Sequence, residues 1–101
     1  MTKLAFHVVI KPAPGQDAAV EEFLQWAKPR IDEEAGTKVW YGLRNENGAY
    51  EIFDTFDDED ARQAHWFGKV GDALRAKAAE GVIFAAEPVI SKLNVLAFKG
   101  P

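Results

Sequence analysis

Tyr50-Glu51-Ile52-Phe53-Asp54-Thr55-Phe56 continues directly into Asp57-Asp58-Glu59-Asp60-Ala61-Arg62-Gln63-Ala64-His65-Trp66. Aromatic and β-branched residues favour a strand over the first part. Asp57, with Asp60 three residues on, predicts a helix N-cap for the second. The acidic run 57–60 suits the positive end of a helix. A strand that feeds straight into a helix fixes one half of the fold. It also brings an acid within the strand, Asp54, near His65, one of two histidines in the chain.

Upstream, residues 3–11 form an apolar run containing His7, closed by Pro12 and Pro14, which cannot continue a central ladder. Val20, Phe23, Leu24, Ala27 and Ile31 recur at helical spacing and predict one buried face. Asp17 is the expected N-cap, Pro29 is expected to kink the helix or split off its last turn, and Gly36 to stop it. Residues 37–44 and 49–56 predict two strands joined through Asn45-Glu46-Asn47-Gly48, whose Asn-Gly is a hairpin signal. A two- or four-residue loop places Tyr41, Leu43, Tyr50, Ile52, Asp54 and Phe56 on one face. Trp40, Gly42, Arg44, Glu51, Phe53 and Thr55 then share the other, with Arg44 and Glu51 paired, whereas a three- or five-residue loop reverses this. Ala61, Ala64, His65, Gly68, Gly71 and Leu74 are the expected inner stripe. Gly68 and Gly71 break the helix, and a second helix runs to about Glu80. Residues 87–99 alternate as the last strand.

The order β-α-β-β-α-β over a single domain, residues 1–101, predicts an α+β, ferredoxin-like fold: a four-stranded antiparallel sheet with helices on one face. The other face keeps apolar residues, including Trp40 and Phe53, in water. A second copy stacked sheet to sheet would cover them, so a homodimer is expected.

The formal charge of -4, with 12 scattered Lys and Arg, argues against nucleic acid as a partner. With no cysteine, disulfides, thiolate nucleophiles and Cys-type metal sites are excluded. Two histidines without ligand spacing predict no metal site. No run approaches a membrane span, and Met1 to His7 lacks a signal-peptide core, so no membrane partner and a cytoplasmic location are expected.

Two blocks carry a family likeness. One is Pro29-Arg30-Ile31-Asp32-Glu33-Glu34-Ala35-Gly36-Thr37 leading to Trp40-Tyr41. The other is Ile52-Phe53-Asp54-Thr55-Phe56 with Asp58-Glu59, Arg62, Ala64-His65 and Gly68-Lys69-Val70. On these the chain resembles the antibiotic biosynthesis monooxygenase family of the dimeric α+β barrel superfamily. The resemblance implies a dimer of ferredoxin-like protomers and oxidation of a small phenolic or quinol-like aromatic by molecular oxygen, with no metal, flavin or other cofactor. His65 stands at the family's usual helix histidine. The polyketide-oxidising and haem-degrading branches place an Asn on the first strand beside a helix Trp and His; here that strand offers His7, and Trp66 follows His65 directly.

Oxygenation without a cofactor needs a base, donors for a phenolate and a dry aromatic pocket. His65 is the candidate base and Asp54 its orienting partner, expected within about 5 Å; the same pair also suits a purely structural link. Trp40, Tyr41, Tyr50, Phe56 and Phe67 are candidate pocket walls, or plain core. Arg62 either holds a substrate oxygen or pairs with Asp58. His7 is expected to be packed. Two other readings stand beside the oxygenase: a non-catalytic dimeric ligand-binding or stress-response module, and a haem-handling protein.

Overall fold

The computed structural model describes residues 1–100. The elements are β1 (Leu4–Ile10), α1 (Asp17–Ile31), β2 (Thr37–Arg44), β3 (Tyr50–Phe56), α2 (Glu59–Trp66), α3 (Lys69–Glu80) and β4 (Val89–Asn94). They form one antiparallel sheet in the order β2-β3-β1-β4, with the helices on one face, the ferredoxin-like arrangement expected. The α1 stripe is buried as its spacing requires; Val20, Phe23 and Leu24 pack with Val8, Ile10, Ile52 and Leu74 into the main core, while Ala27 and Ile31 pack with Val70. Pro29 does not divide α1, which runs on to Ile31. The last strand is shorter than 87–99. Asn94 lies opposite Leu4, the first residue of β1, so little partner strand remains beyond it; the Val95 N–H still reaches the Lys3 carbonyl, 2.8 Å away.

The facing of β2 corrects the sequence expectation. Arg44 pairs with Tyr50, so the hairpin loop has the five residues 45–49. Asn45 makes this loop: its Oδ1 accepts from the backbone N–H of Asn47 (2.9 Å) and Ala49 (3.1 Å). Gly48 adopts φ 87°, the left-handed region that glycine enters freely. The odd loop turns β2 over. Trp40 and Gly42 therefore share the helix side with Tyr50, Ile52, Asp54 and Phe56, while Tyr41 and Leu43 face outward with Glu51 and Phe53. Arg44 is consequently not beside Glu51; its guanidinium lies 3.4 Å from Glu21. A register shift between Thr37 and Val39 then brings Thr37 opposite Phe56, on the helix side. A bulge of this kind re-aims one side chain without disturbing the rest of the ladder.

The helix caps also differ from expectation. Gln16, without a side-chain bond, stands at the N-cap of α1, and Asp17 is its first residue. Asp58, not Asp57, caps α2, its Oδ1 accepting from the Ala61 N–H at 2.8 Å. Gly36 does not stop α1, which ends five residues earlier at Ile31. Its lack of a side chain serves packing: a Cβ there would sit 2.8 Å from the Cβ of Ala61. The buried stripe of α2 is Arg62 and His65, and Ala64 faces solvent. At the α2–α3 junction a Cβ on Gly71 would lie 2.1 Å from the Trp66 carbonyl, so only glycine permits the turn. Among the described residues no helix is long and apolar enough to cross a membrane.

Candidate functional site

Asp54 sits in the middle of the sheet, opposite Phe6 on one side and Trp40 on the other, all three toward the helices. It is 1% exposed. An ionised carboxylate so placed needs a charged partner. His65 provides it from α2, with Nε2 3.0 Å from Asp54 Oδ2 and inside the expected separation. On the other edge of the ring, Nδ1 hydrogen-bonds Glu34 Oε1 at 2.6 Å. The Thr37 hydroxyl donates to the same Glu34 oxygen at 2.7 Å. The imidazole is thus held between two carboxylates brought by β3 and by the α1–β2 connection. Phe56 lies against it with ring centroids 5.2 Å apart, and Phe6 at 6.3 Å.

Burial alone would depress the His65 pKa. The carboxylates of Asp54 and Glu34 outweigh that and push it up to about 9. His65 therefore carries a proton on each ring nitrogen at neutral pH, and both nitrogens face carboxylate oxygens. Two buried polar atoms nearby, Asp54 Oδ1 and Trp40 Nε1, have no hydrogen-bond partner.

The remaining expected site residues are not gathered into one pocket. Trp40 is half-buried beside Asp54, and Phe56 is core. Tyr41, turned over with β2, is exposed on the opposite face of the sheet from His65, which removes it from any pocket there. Tyr50 is buried at the far end of β3, four residues from Asp54 and so about 13 Å along the strand. Its hydroxyl donates to Glu21 Oε2 at 2.5 Å, a bond that raises the phenol pKa. Arg62 is buried, pairs with Glu59 at 2.6 Å rather than with Asp58, and donates to the Ala5 carbonyl at 3.3 Å. Phe67 is exposed. His7, on the outer face, meets Glu51 at 2.6 Å. Glu34 and Thr37 were missed as site residues, since nothing local in the sequence ties them to a helix about thirty residues later.

Beside the charged group lie two spaces. The inner is a cavity of about 20 Å3, lined by Asp54 and His65 together with Trp40, Ile52, Phe6 and Trp66. The outer is an open cleft of about 360 Å3 between α2 and β4, lined by Phe6, Gln63, Trp66, Phe67, Ile90 and Lys92. Phe6 and Trp66, with ring centroids 5.6 Å apart, line both. A larger groove between α1 and α3, about 400 Å3 and lined by Phe23 and Trp26, lies away from these charges.

This architecture has close relatives among solved structures. A protein of unknown function from Nitrosomonas europaea is 42% identical, over 100% of this chain and 96% of that one, with a TM-score of 0.92. The chain belongs to the family of that protein. A candidate antibiotic biosynthesis monooxygenase from Caulobacter crescentus matches at 23% identity, over 95% of this chain and 92% of that one, TM-score 0.80. Its fold is that of the antibiotic biosynthesis monooxygenases. A Mycobacterium tuberculosis protein has the same fold at 16% identity, over 97% and 99% of the two chains, TM-score 0.85. No protein-family model matches the chain, and no curated protein does. Within this monooxygenase fold, the first strand turns Phe6 toward the helices and His7 to the outer face.

Proposed function

We propose that the protein is a small oxygenase of the antibiotic biosynthesis monooxygenase type, converting a small phenolic aromatic with molecular oxygen and without metal or flavin. The observation that carries this reading is the aromatic cleft opening beside the buried Asp54–His65–Glu34 group. Its volume is in the range of small-molecule sites, roughly 300–1,000 Å3. Trp66, part-exposed at the cleft, offers the ring against which an aromatic substrate packs, with Phe6 buried beside it. The chemistry balances without an outside reductant: a phenol and one O2 yield a quinone and one water, the substrate supplying all the electrons. His65 is charged at neutral pH, so its role in this proposal is to hold α2 and the cleft wall on the sheet, together with Asp54. The phenol proton leaves to solvent through the open cleft.

The state of His65 also favours a second reading, a dimeric binding module that does not turn its ligand over. A haem-handling role fits less well, because both ring nitrogens of His65 already face carboxylates and neither is free for an iron. In either favoured reading we place a second copy on the outer sheet face, where Tyr41, Leu43, Val89 and Leu93 are exposed around the His7–Glu51 pair. The cysteine-free sequence suits a cytoplasmic setting.

Oxygen uptake by the metal-stripped protein, over a panel of phenols and quinols, tests the proposal. Uptake above autoxidation, lost in Trp66→Leu and kept in Tyr41→Ala, supports oxygenation in the cleft. Binding without uptake establishes the second reading instead.

A further inference from the structure

We infer that Lys92 makes the α2–β4 cleft selective for a small aromatic anion, a phenolate or an aryl carboxylate. The inference rests on reading that cleft as the ligand site. Lys92 pairs with Phe6 across β1 and β4, so it stands on the helix side of an edge strand, among the cleft residues. It makes no ion pair among the described residues. Glu59 is close enough to feel it: the Glu59 pKa is lowered by Gln63 first, then by Arg62, with Lys92 a smaller contributor. That carboxylate is already committed to Arg62 at 2.6 Å. Glu59, Arg62 and Lys92 together carry one net positive charge, and Lys92 stands in the cleft lining itself, whereas the net negative Asp54–His65–Glu34 group does not line the cleft.

Two guanidinium groups, each paired with a carboxylate, pack against the walls and add no net charge of their own. Arg62 stacks 5.4 Å over Phe6, and its buried Nε has no hydrogen-bond partner. Arg75 stacks 4.8 Å over Trp66, donates to the Trp66 carbonyl at 2.8 Å and pairs with Asp72. A neutral aromatic gains the ring contacts alone. An aromatic anion gains the same contacts and also neutralises the unpaired ammonium, which favours it selectively. For a phenol, the same charge stabilises the phenolate, the form from which electrons pass to oxygen.

Tryptophan fluorescence titration of the full chain with 1-naphthoate and with its neutral methyl ester tests the inference, with 1-naphthol as the phenolic probe. The expected result is at least about tenfold tighter binding of naphthoate than of ester, a preference lost in Lys92→Gln, kept in Lys92→Arg and weakened by salt. Bound 1-naphthol should ionise at a lower pH in the wild type than in Lys92→Gln. If the preference goes to naphthoate alone, the site takes carboxylates; if 1-naphthol ionises early as well, it takes phenolates too. Equal affinity for acid and ester, an unchanged preference in Lys92→Gln, or no binding of any probe would overturn the inference and leave Lys92 as a charge that guards an edge strand. Oxygen uptake is read separately. Anion selectivity without uptake removes the oxygenase and keeps this inference, and uptake on neutral substrates without selectivity does the reverse.

Discussion

The sheet carries a histidine–glutamate contact of 2.6 Å on each face, and the two differ in almost everything else. His65, on the helix side, is 9% exposed in its side chain and meets a second carboxylate, Asp54, that is 1% exposed. His7, on the outer side, is 33% exposed and meets only Glu51. The same distance therefore describes a buried charge cluster in one place and a wet pair in the other. The inner cluster, Asp54 first and Glu34 with it, overcomes burial to raise the His65 pKa to about 9 and ties three segments of the chain together. The outer contact lowers the Glu51 pKa through hydrogen bonds from His7 and from Asn45, and it sits where a second copy would pack.

The largest break of this comparison is His65→Ala. It leaves Asp54 buried without its cation, a loss of about 3–5 kcal/mol, and should lower the urea midpoint steeply at pH 7. His7→Ala should cost the protomer about 1 kcal/mol or less, as exposed pairs do. Similar losses for the two would erase the distinction.

Next in size is the pH dependence of stability. Folding raises the His65 pKa from 6.5 to about 9. The stabilisation is therefore complete below pH 6.5, shrinks as the pH rises, and is gone once the pH passes about 9. At 1.36 kcal/mol per unit this is about 3 kcal/mol. Urea midpoints at a fixed protein concentration should decline from pH 6.5 to 9, and the decline should vanish in His65→Gln.

Smaller still is Thr37→Val, which removes the hydroxyl that steadies Glu34. About 1 kcal/mol is expected, with a lower His65 midpoint, read by chemical denaturation and by NMR. Smallest for the protomer is Tyr41→Asp, within about 0.5 kcal/mol as a surface change. Sedimentation should nevertheless show it shifting the proposed dimer to monomer, and an unchanged sedimentation profile would contradict a second copy on this face.

Much of this was legible in the sequence. The α1 stripe, the break at Gly68 and Gly71 and the approach of Asp54 to His65 all follow from local spacing. The facing of β2 did not, because it turns on the parity of one loop. The Asn45 side chain, capping two amides at once, selected five residues where Asn-Gly suggested an even number. That single residue moved Trp40 inward and Tyr41 outward, and so took Tyr41 out of the expected aromatic pocket. Glu34 and Thr37 were hidden for a different reason. They reach His65 through a connection and a bulge, neither of which leaves a periodic trace.

The most direct test is an NMR titration of the His65 ring nitrogens between pH 5 and 10. The account predicts an imidazolium at pH 7, with both nitrogens protonated and a midpoint near 9. A neutral ring at pH 7, with a midpoint at or below 6.5, would contradict it and would return His65 to the role of candidate base.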